Sequence, residues 1–438
     1  MNRLFQLLGW VLLCGWLSCS NADPVKNTYA ATEKTDTCKL DPNNTYEVYI
    51  PQRNNDVKKL PLLVIIDSHG GGKFALEKFK EAANQFPAVL IASNLVKNNY
   101  GGYQEAIQTL IVDARQKYPI GETVFMTGFS GGARMVLGYA LNHQVDGLIM
   151  CGALANSDQI KTLSCPLISI SGMDDFNFME TAQYLFQEQS IPDKLKIELI
   201  NASHSWPDNQ VLANALGFLR FSCKASDMPP QSKSQLKMYC QHQQSKIDSL
   251  KQSGDFLKAA LLARNMASTE PFSDKTFAST YEAIKTNTEY ISQMNRLEKY
   301  LNYEISVRQQ YIDAFQTKDT LWWKNEIRTI EEKIKTEQDS YLKDTYLRIK
   351  AFWGIASYSL CNQAVKGKNA EVLNKILSIY RMLEPENPDM FYFSAFPYFW
   401  KKNNEATYSM LNKALEAGYT NMGQLERNFP ESITARLF

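Results

Sequence analysis

The chain has 438 residues, 44% of them hydrophobic and 21% charged, with 47 basic against 46 acidic side chains. That length predicts two domains at roughly 150 residues per domain, and the near-zero charge balance excludes a dedicated nucleic-acid binder, which carries a basic excess. Ordinary apolar and aromatic content excludes wholesale disorder, while eight cysteines without a CxxC pair exclude a disulfide-stapled mini-fold and thioredoxin-type or zinc-ribbon chemistry.

Residues 1–18 read as a signal peptide: Arg3 gives the positive start, and the run from Leu4 to Leu17 is almost continuously apolar but short for a membrane span. Leu17-Ser18-Cys19 resembles a bacterial lipoprotein box, which implies acylation of Cys19 and a lipid anchor in the cell envelope. Ser20 at the next position favours the outer membrane or cell surface, and an ordinary cleaved leader on a secreted or periplasmic protein is the alternative. Residues 19–37 are polar and without periodicity, so they are expected to form a tether. Export puts Cys38, Cys151, Cys165, Cys223, Cys240 and Cys361 where disulfides can form, with the pairing left open.

From Tyr46 to Leu219 short apolar runs alternate with helical patterns. Tyr46, Val48 and Ile50 alternate as in a half-exposed strand. Leu62 to Ile66, Val89 to Ala92, Val124 to Thr127, Gly147 to Cys151, Leu167 to Ser171 and Leu195 to Ile200 have the pattern of strands covered on both faces. Ile107, Leu110, Ile111 and Ala114 mark an intervening helix. The class is therefore α/β, a doubly wound, mostly parallel sheet over residues 38–228, whose ligands bind at the carboxyl ends of the strands.

Those strand ends carry the chemistry. Gly128-Phe129-Ser130-Gly131-Gly132 follows one strand and precedes a helix, the context in which a tight turn exposes a serine nucleophile. Such a serine needs a base, and of His69, His143, His204 and His242 only His204 falls immediately after the last strand, His242 lying beyond the sheet. Asp174 and Asp175 follow the penultimate strand, and either carboxylate could orient the imidazole. Asp67-Ser68-His69-Gly70-Gly71-Gly72 could bring backbone donors to a developing oxyanion, with Gly71 and Gly131 N–H as the expected pair. No metal-ligand cluster or cofactor motif accompanies them.

With these motifs, the segment from Tyr46 to Leu219 resembles the α/β-hydrolase superfamily, particularly dienelactone-hydrolase and polyhydroxybutyrate-depolymerase-like serine esterases. The resemblance implies a Ser130–Asp175–His204 triad, since the family's Gly-x-x-Asp spacing lands on Asp175, with Asp174 as the alternative acid. It also implies a carboxylesterase-like serine hydrolase without a cofactor. The short interval from Cys151 to Leu167 leaves no room for an inserted cap, so an open site is expected, suited to an ester on something large. An acyl or feruloyl ester on a polysaccharide is the preferred substrate. A peptidase or amidase using the same triad is one alternative, and a catalytically idle scaffold is another.

Met228-Pro229-Pro230-Gln231-Ser232 breaks the alternation, and residues 229–438 are predicted to be all-helical. Ile247, Leu250, Leu257 and Leu261 form one expected stripe, and Trp323, Ile327, Ile330 and Ile334 another. Leu383 to Gly418 resembles a tetratricopeptide repeat, although Pro397 interrupts its first helix. Holding a protein or glycan partner, or shielding the open hydrolase site, is the expected role of this half. Trp322, Trp323, Trp353 and Trp400 are expected to lie mostly in its core.

Overall fold

The computed structural model describes residues 28–54, 57–186, 191–223, 233–272 and 275–437. The leader over 1–18, Cys19 and the boundary from Met228 to Ser232 lie outside the described residues. In chain order the strands are β1 (Thr28–Tyr29), β2 (Thr32–Cys38), β3 (Asp41–Ile50), β4 (Arg53–Asn54), β5 (Leu60–Ile66), β6 (Val89–Ser93), β7 (Ile120–Phe129), β8 (Gly147–Cys151), β9 (Leu167–Gly172) and β10 (Leu195–Ile200). β1 and β4 pair with each other, and the rest form one eight-stranded sheet in the order β2-β3-β6-β5-β7-β8-β9-β10. Within it β3 alone runs against the other strands. This is the α/β-hydrolase fold.

The expected tether is corrected by β2. Thr32 to Thr37 does not trail away from the domain but pairs along β3 as an edge strand. Its residues are mostly exposed, so Thr-Glu-Lys-Thr-Asp shows no apolar alternation in the sequence. Polar side chains of this kind also blunt a free sheet edge.

Helices α1 (Gly72–Gln85), α2 (Tyr103–Lys117), α3 (Gly131–Ala140), α4 (Ser157–Thr162), α5 (Phe178–Leu185) and α6 (Asn209–Ser222) cover the sheet. β5 shows why its sequence reads as one apolar run. Leu62, Val64 and Ile66 face the core shared with α2 and α3, while Leu63 and Ile65 face the core shared with α1 and α6. Each such side chain contributes about 1.5–3 kcal/mol by burial. The chain leaves β5 through α1 to β6 on one side, then crosses through α2 to β7 on the other. The strand order reverses there, leaving a crevice at the carboxyl ends of β5 and β7.

The second half contains α7 (Lys233–Gln252), α8 (Phe256–Ala267), α9 (Lys275–Lys285), α10 (Thr288–Thr317), α11 (Thr320–Thr336), α12 (Ser340–Lys366), α13 (Ala370–Leu383), α14 (Pro388–Trp400), α15 (Asn404–Glu416), α16 (Met422–Asn428) and α17 (Glu431–Thr434). The single stripe expected from Ile247 to Leu261 is divided between α7 and α8. Gly254 adopts φ +80, and Asp255 caps α8 by accepting from Lys258 N.

α8 belongs physically to the sheet, because it closes the β10 edge. The Asn265 side chain acts as a substitute strand, accepting from Ile197 N at 3.3 Å and donating to Ile197 O at 2.9 Å. Arg264 adds donors to Leu195 O and Ile191 O. The later helices build a separate core around Trp323 and Trp353, both fully buried and packed edge to face at 5.5 Å. Trp322 and Trp400 are partly buried against that core. None of the described helices is long and apolar enough to cross a membrane.

Candidate active site

Ser130 stands at the carboxyl end of β7, where the chain turns abruptly into α3. Its backbone has φ 54 and ψ −116, a conformation that strains a residue bearing a side chain and is held here by its surroundings. Ser130 N donates to Cys151 O at 2.8 Å, tying the turn to β8. A Cβ on Gly132 would lie 2.1 Å from Ile66 O, so only glycine lets α3 start so close to β5.

His204 comes from the loop after β10. Its Nε2 lies 2.9 Å from Ser130 Oγ, and its Nδ1 lies 2.9 Å from both carboxylate oxygens of Asp175. Asp175 is 2% exposed and also accepts from Asn177 N at 2.8 Å. The residue meeting His204 is thus Asp175; Asp174 points elsewhere, into a polar cavity of about 580 Å³ that Asp344, Lys258 and Arg296 also line. Burial pushes the Asp174 carboxyl up from its usual value. Phe129 and Phe176 flank the imidazole, with ring centroids 4.7 and 4.2 Å away, so it can move little out of line.

The oxyanion loop differs from expectation at Gly71. Its N–H donates to Asp67 Oδ1 at 3.2 Å, so it is engaged within its own loop. Asp67, 5% exposed, also accepts from His69 N and, through Oδ2, from Trp206 Nε1 at 3.0 Å. The second expected donor, Gly131, is the first residue of α3, where an N–H has no intrahelical acceptor. A Cβ on Gly131 would fall 1.8 Å from Asn98 Oδ1, so the Asn98 side chain lies directly against the turn. Asn98 N donates to Ser68 O at 2.9 Å, which fixes this amide between the oxyanion loop and the serine.

The structure brings Ser130, Asp175 and His204 together and leaves the other histidines apart. His69 is on the oxyanion loop with its side chain 74% exposed, His143 stacks on Tyr139, and His242 lines a different cavity on α7. Several neighbours escaped the sequence reading. Asn177 Nδ2 donates to Gly152 O at 2.8 Å. Gly152 has φ +64, and a Cβ there would approach Phe129, Asp175 and His204. Its place directly after β8 was the available signal. No group of three or more His, Cys, Asp or Glu that could hold a metal occurs among the described residues.

No cap is inserted between β8 and β9, where only the six-residue α4 lies. Instead, α10 and α12 reach the acid loop, with Arg308 donating to Phe176 O and Arg348 to Met173 O. At the start of α14, burial pushes the Asp389 carboxyl up to about 6.

No family model matches the chain, and no curated protein matches it. Solved structures do. Est1E from Butyrivibrio proteoclasticus is 14% identical, with 42% of this chain and 95% of that one covered and a TM-score of 0.34. A lidless α/β serine hydrolase from Xanthomonas campestris is 18% identical over 45% of this chain and 97% of its own, with a TM-score of 0.34. A puromycin-hydrolysing peptidase from Mycobacterium tuberculosis is 11% identical over 46% and 40% respectively, with a TM-score of 0.36.

Proposed function

We propose that the chain is an exported serine hydrolase that cleaves carboxylic esters through an acyl-enzyme. The observation carrying this reading is the continuous relay from Ser130 Oγ through His204 to Asp175, with each contact at 2.9 Å. His204 Nε2 takes the Ser130 proton as Oγ attacks the ester carbonyl, and Asp175 stabilises the imidazolium that forms. The C–O bond then breaks, and His204 returns the proton to the leaving alkoxide. Water repeats the sequence on the acyl-enzyme, releasing the acid and restoring Ser130.

Negative charge on the tetrahedral oxygen is met by Gly131 N–H at the start of α3, which also has the favourable field of a helix N-terminus. The substrate class is an acyl or feruloyl ester carried by a polymer, and the protein is held in the cell envelope through Cys19. Hydrolysis of p-nitrophenyl acetate tests the chemistry. A stoichiometric burst of p-nitrophenol, absent in Ser130→Ala, is expected; hydrolysis unaffected by Ser130→Ala overturns the assignment. Cys19→Ala is expected to move the protein from the membrane fraction to the soluble fraction, and unchanged partitioning would remove the anchor.

A further inference from the structure

The loop carrying Asp175 is gripped by residues far away in sequence. Glu304 on α10 is fully buried. Its Oε1 accepts from Arg308 Nη2 at 2.6 Å, and its Oε2 accepts from Arg348 Nε on α12 at 2.7 Å. The same two guanidinium groups each reach the acid loop. Arg308 Nη2 donates to Phe176 O at 3.0 Å, and Arg348 Nη1 donates to Met173 O. Those carbonyls bracket Asp174 and Asp175. Arg348 is further fixed by Thr345 Oγ1 at 2.8 Å and by the Phe178 ring, 4.8 Å from its guanidinium.

Taking a carboxylate and two guanidinium groups out of water offsets most of their attraction, so such a cluster is a weak source of net stability. What it supplies is fixed geometry: Arg348 spreads Nε and Nη1 of its planar guanidinium between Glu304 and Met173 O, while Arg308 meets Glu304 and Phe176 O through the one Nη2. Asp175 has little freedom of its own, since Asn177 N and His204 engage its oxygens. A shift of the loop therefore moves the imidazole relative to Ser130.

We propose that Arg308 and Arg348, joined through Glu304, are positioning residues that hold the acid loop in register with His204, so that the helical half completes the catalytic centre. This rests on the triad reading above. It assigns the α10–α12 face a role in kcat rather than in substrate affinity.

The test is steady-state hydrolysis of p-nitrophenyl acetate by the full chain. Since a 1 Å misplacement can lower the rate about 100-fold, Arg308→Ala is expected to reduce kcat by roughly 10- to 100-fold with KM within about twofold. Arg308→Lys keeps a cation able to meet both Glu304 and Phe176 O, and is expected to recover most of the loss. Arg308 carries the test because its side chain is 15% exposed, against 1% for Arg348, so truncation there leaves a folded chain. Arg436→Ala, which removes an exposed pair with Glu405, serves as the control and leaves kcat unchanged.

A folded Arg308→Ala with wild-type kcat overturns the proposal. A kcat loss that Lys does not recover, or one that only tracks a lowered melting temperature, overturns it equally. Failure of the triad reading looks different: the wild-type chain itself then gives no Ser130-dependent hydrolysis, and the clamp falls with it.

Discussion

The glycine loop after β5 and the acid loop after β9 flank Ser130 and are held by different means. The first is wired inside the sheet domain, where Asp67 collects His69 N, Gly71 N and Trp206 Nε1. The second is held partly within the sheet domain, by Asn177 Nδ2 on Gly152 O and Met173 N on Ile200 O, and partly from outside, by guanidinium groups of α10 and α12 on Met173 O and Phe176 O. The difference predicts that the sheet domain on its own loses part of the hold on its acid side. Its nucleophile side is set by local contacts, and its acid side also draws on two helices more than a hundred residues away.

The largest effects fall where both sides meet. Ser130→Ala and His204→Ala are each expected to lower ester hydrolysis by roughly 10⁴–10⁶-fold with little change in the unfolding midpoint, as activity and urea melts will show. Asp67→Ala attacks the internally wired side alone. It leaves Trp206 Nε1 and loop N–H groups without their acceptor, and is expected to cut kcat by roughly 10²-fold and destabilise by about 2–3 kcal/mol.

Trp353→Ala probes the external side through the remote core and is expected to destabilise by about 3–5 kcal/mol. Because the acid loop is held by that half, activity and tryptophan fluorescence are expected to be lost at the same urea concentration. Activity that survives unfolding of the helical half contradicts the comparison.

The smallest effect concerns Asp344, in the polar cavity behind the acid loop. Burial pushes its carboxyl from the usual 3.8 up to about 6, with Arg348 partly opposing and Asp174 reinforcing the shift. A carboxyl raised on folding stabilises fully below its unfolded pKa, and that contribution is lost as pH rises through the folded one. Asp344→Asn is therefore expected to stabilise by about 1–2 kcal/mol at pH 8, allowing for partial solvent screening. The gain is expected to shrink through pH 6 and vanish near pH 4, as thermal melts across that range will report.

Much of the site was legible because strand ends are local features. Ser130 and His204 each sit directly after an apolar run, while the strand end after β9 offered Asp174 and Asp175 alike and only the family resemblance favoured Asp175. Gly71 was misread because glycine content shows where a backbone can approach, whereas the direction of an N–H depends on Asp67 folding back within the loop. β2 was hidden by its polar, exposed residues. The clamp had no sequence signal at all: Arg308 and Arg348 lie 132 and 175 residues from the carbonyls they bind, and each reads as an ordinary charged helix position. Asn265 is hidden for the same reason, since its role as a substitute strand exists only once α8 lies on β10.

The central claim is that this fold presents an activated serine. Intact-mass measurement of the full chain after a fluorophosphonate probe tests it most directly. One adduct per chain, carried by Ser130 and lost in both Ser130→Ala and His204→Ala, is the result expected. A folded wild-type chain that takes up no probe would contradict the account and leave the His204–Ser130 contact without catalytic consequence.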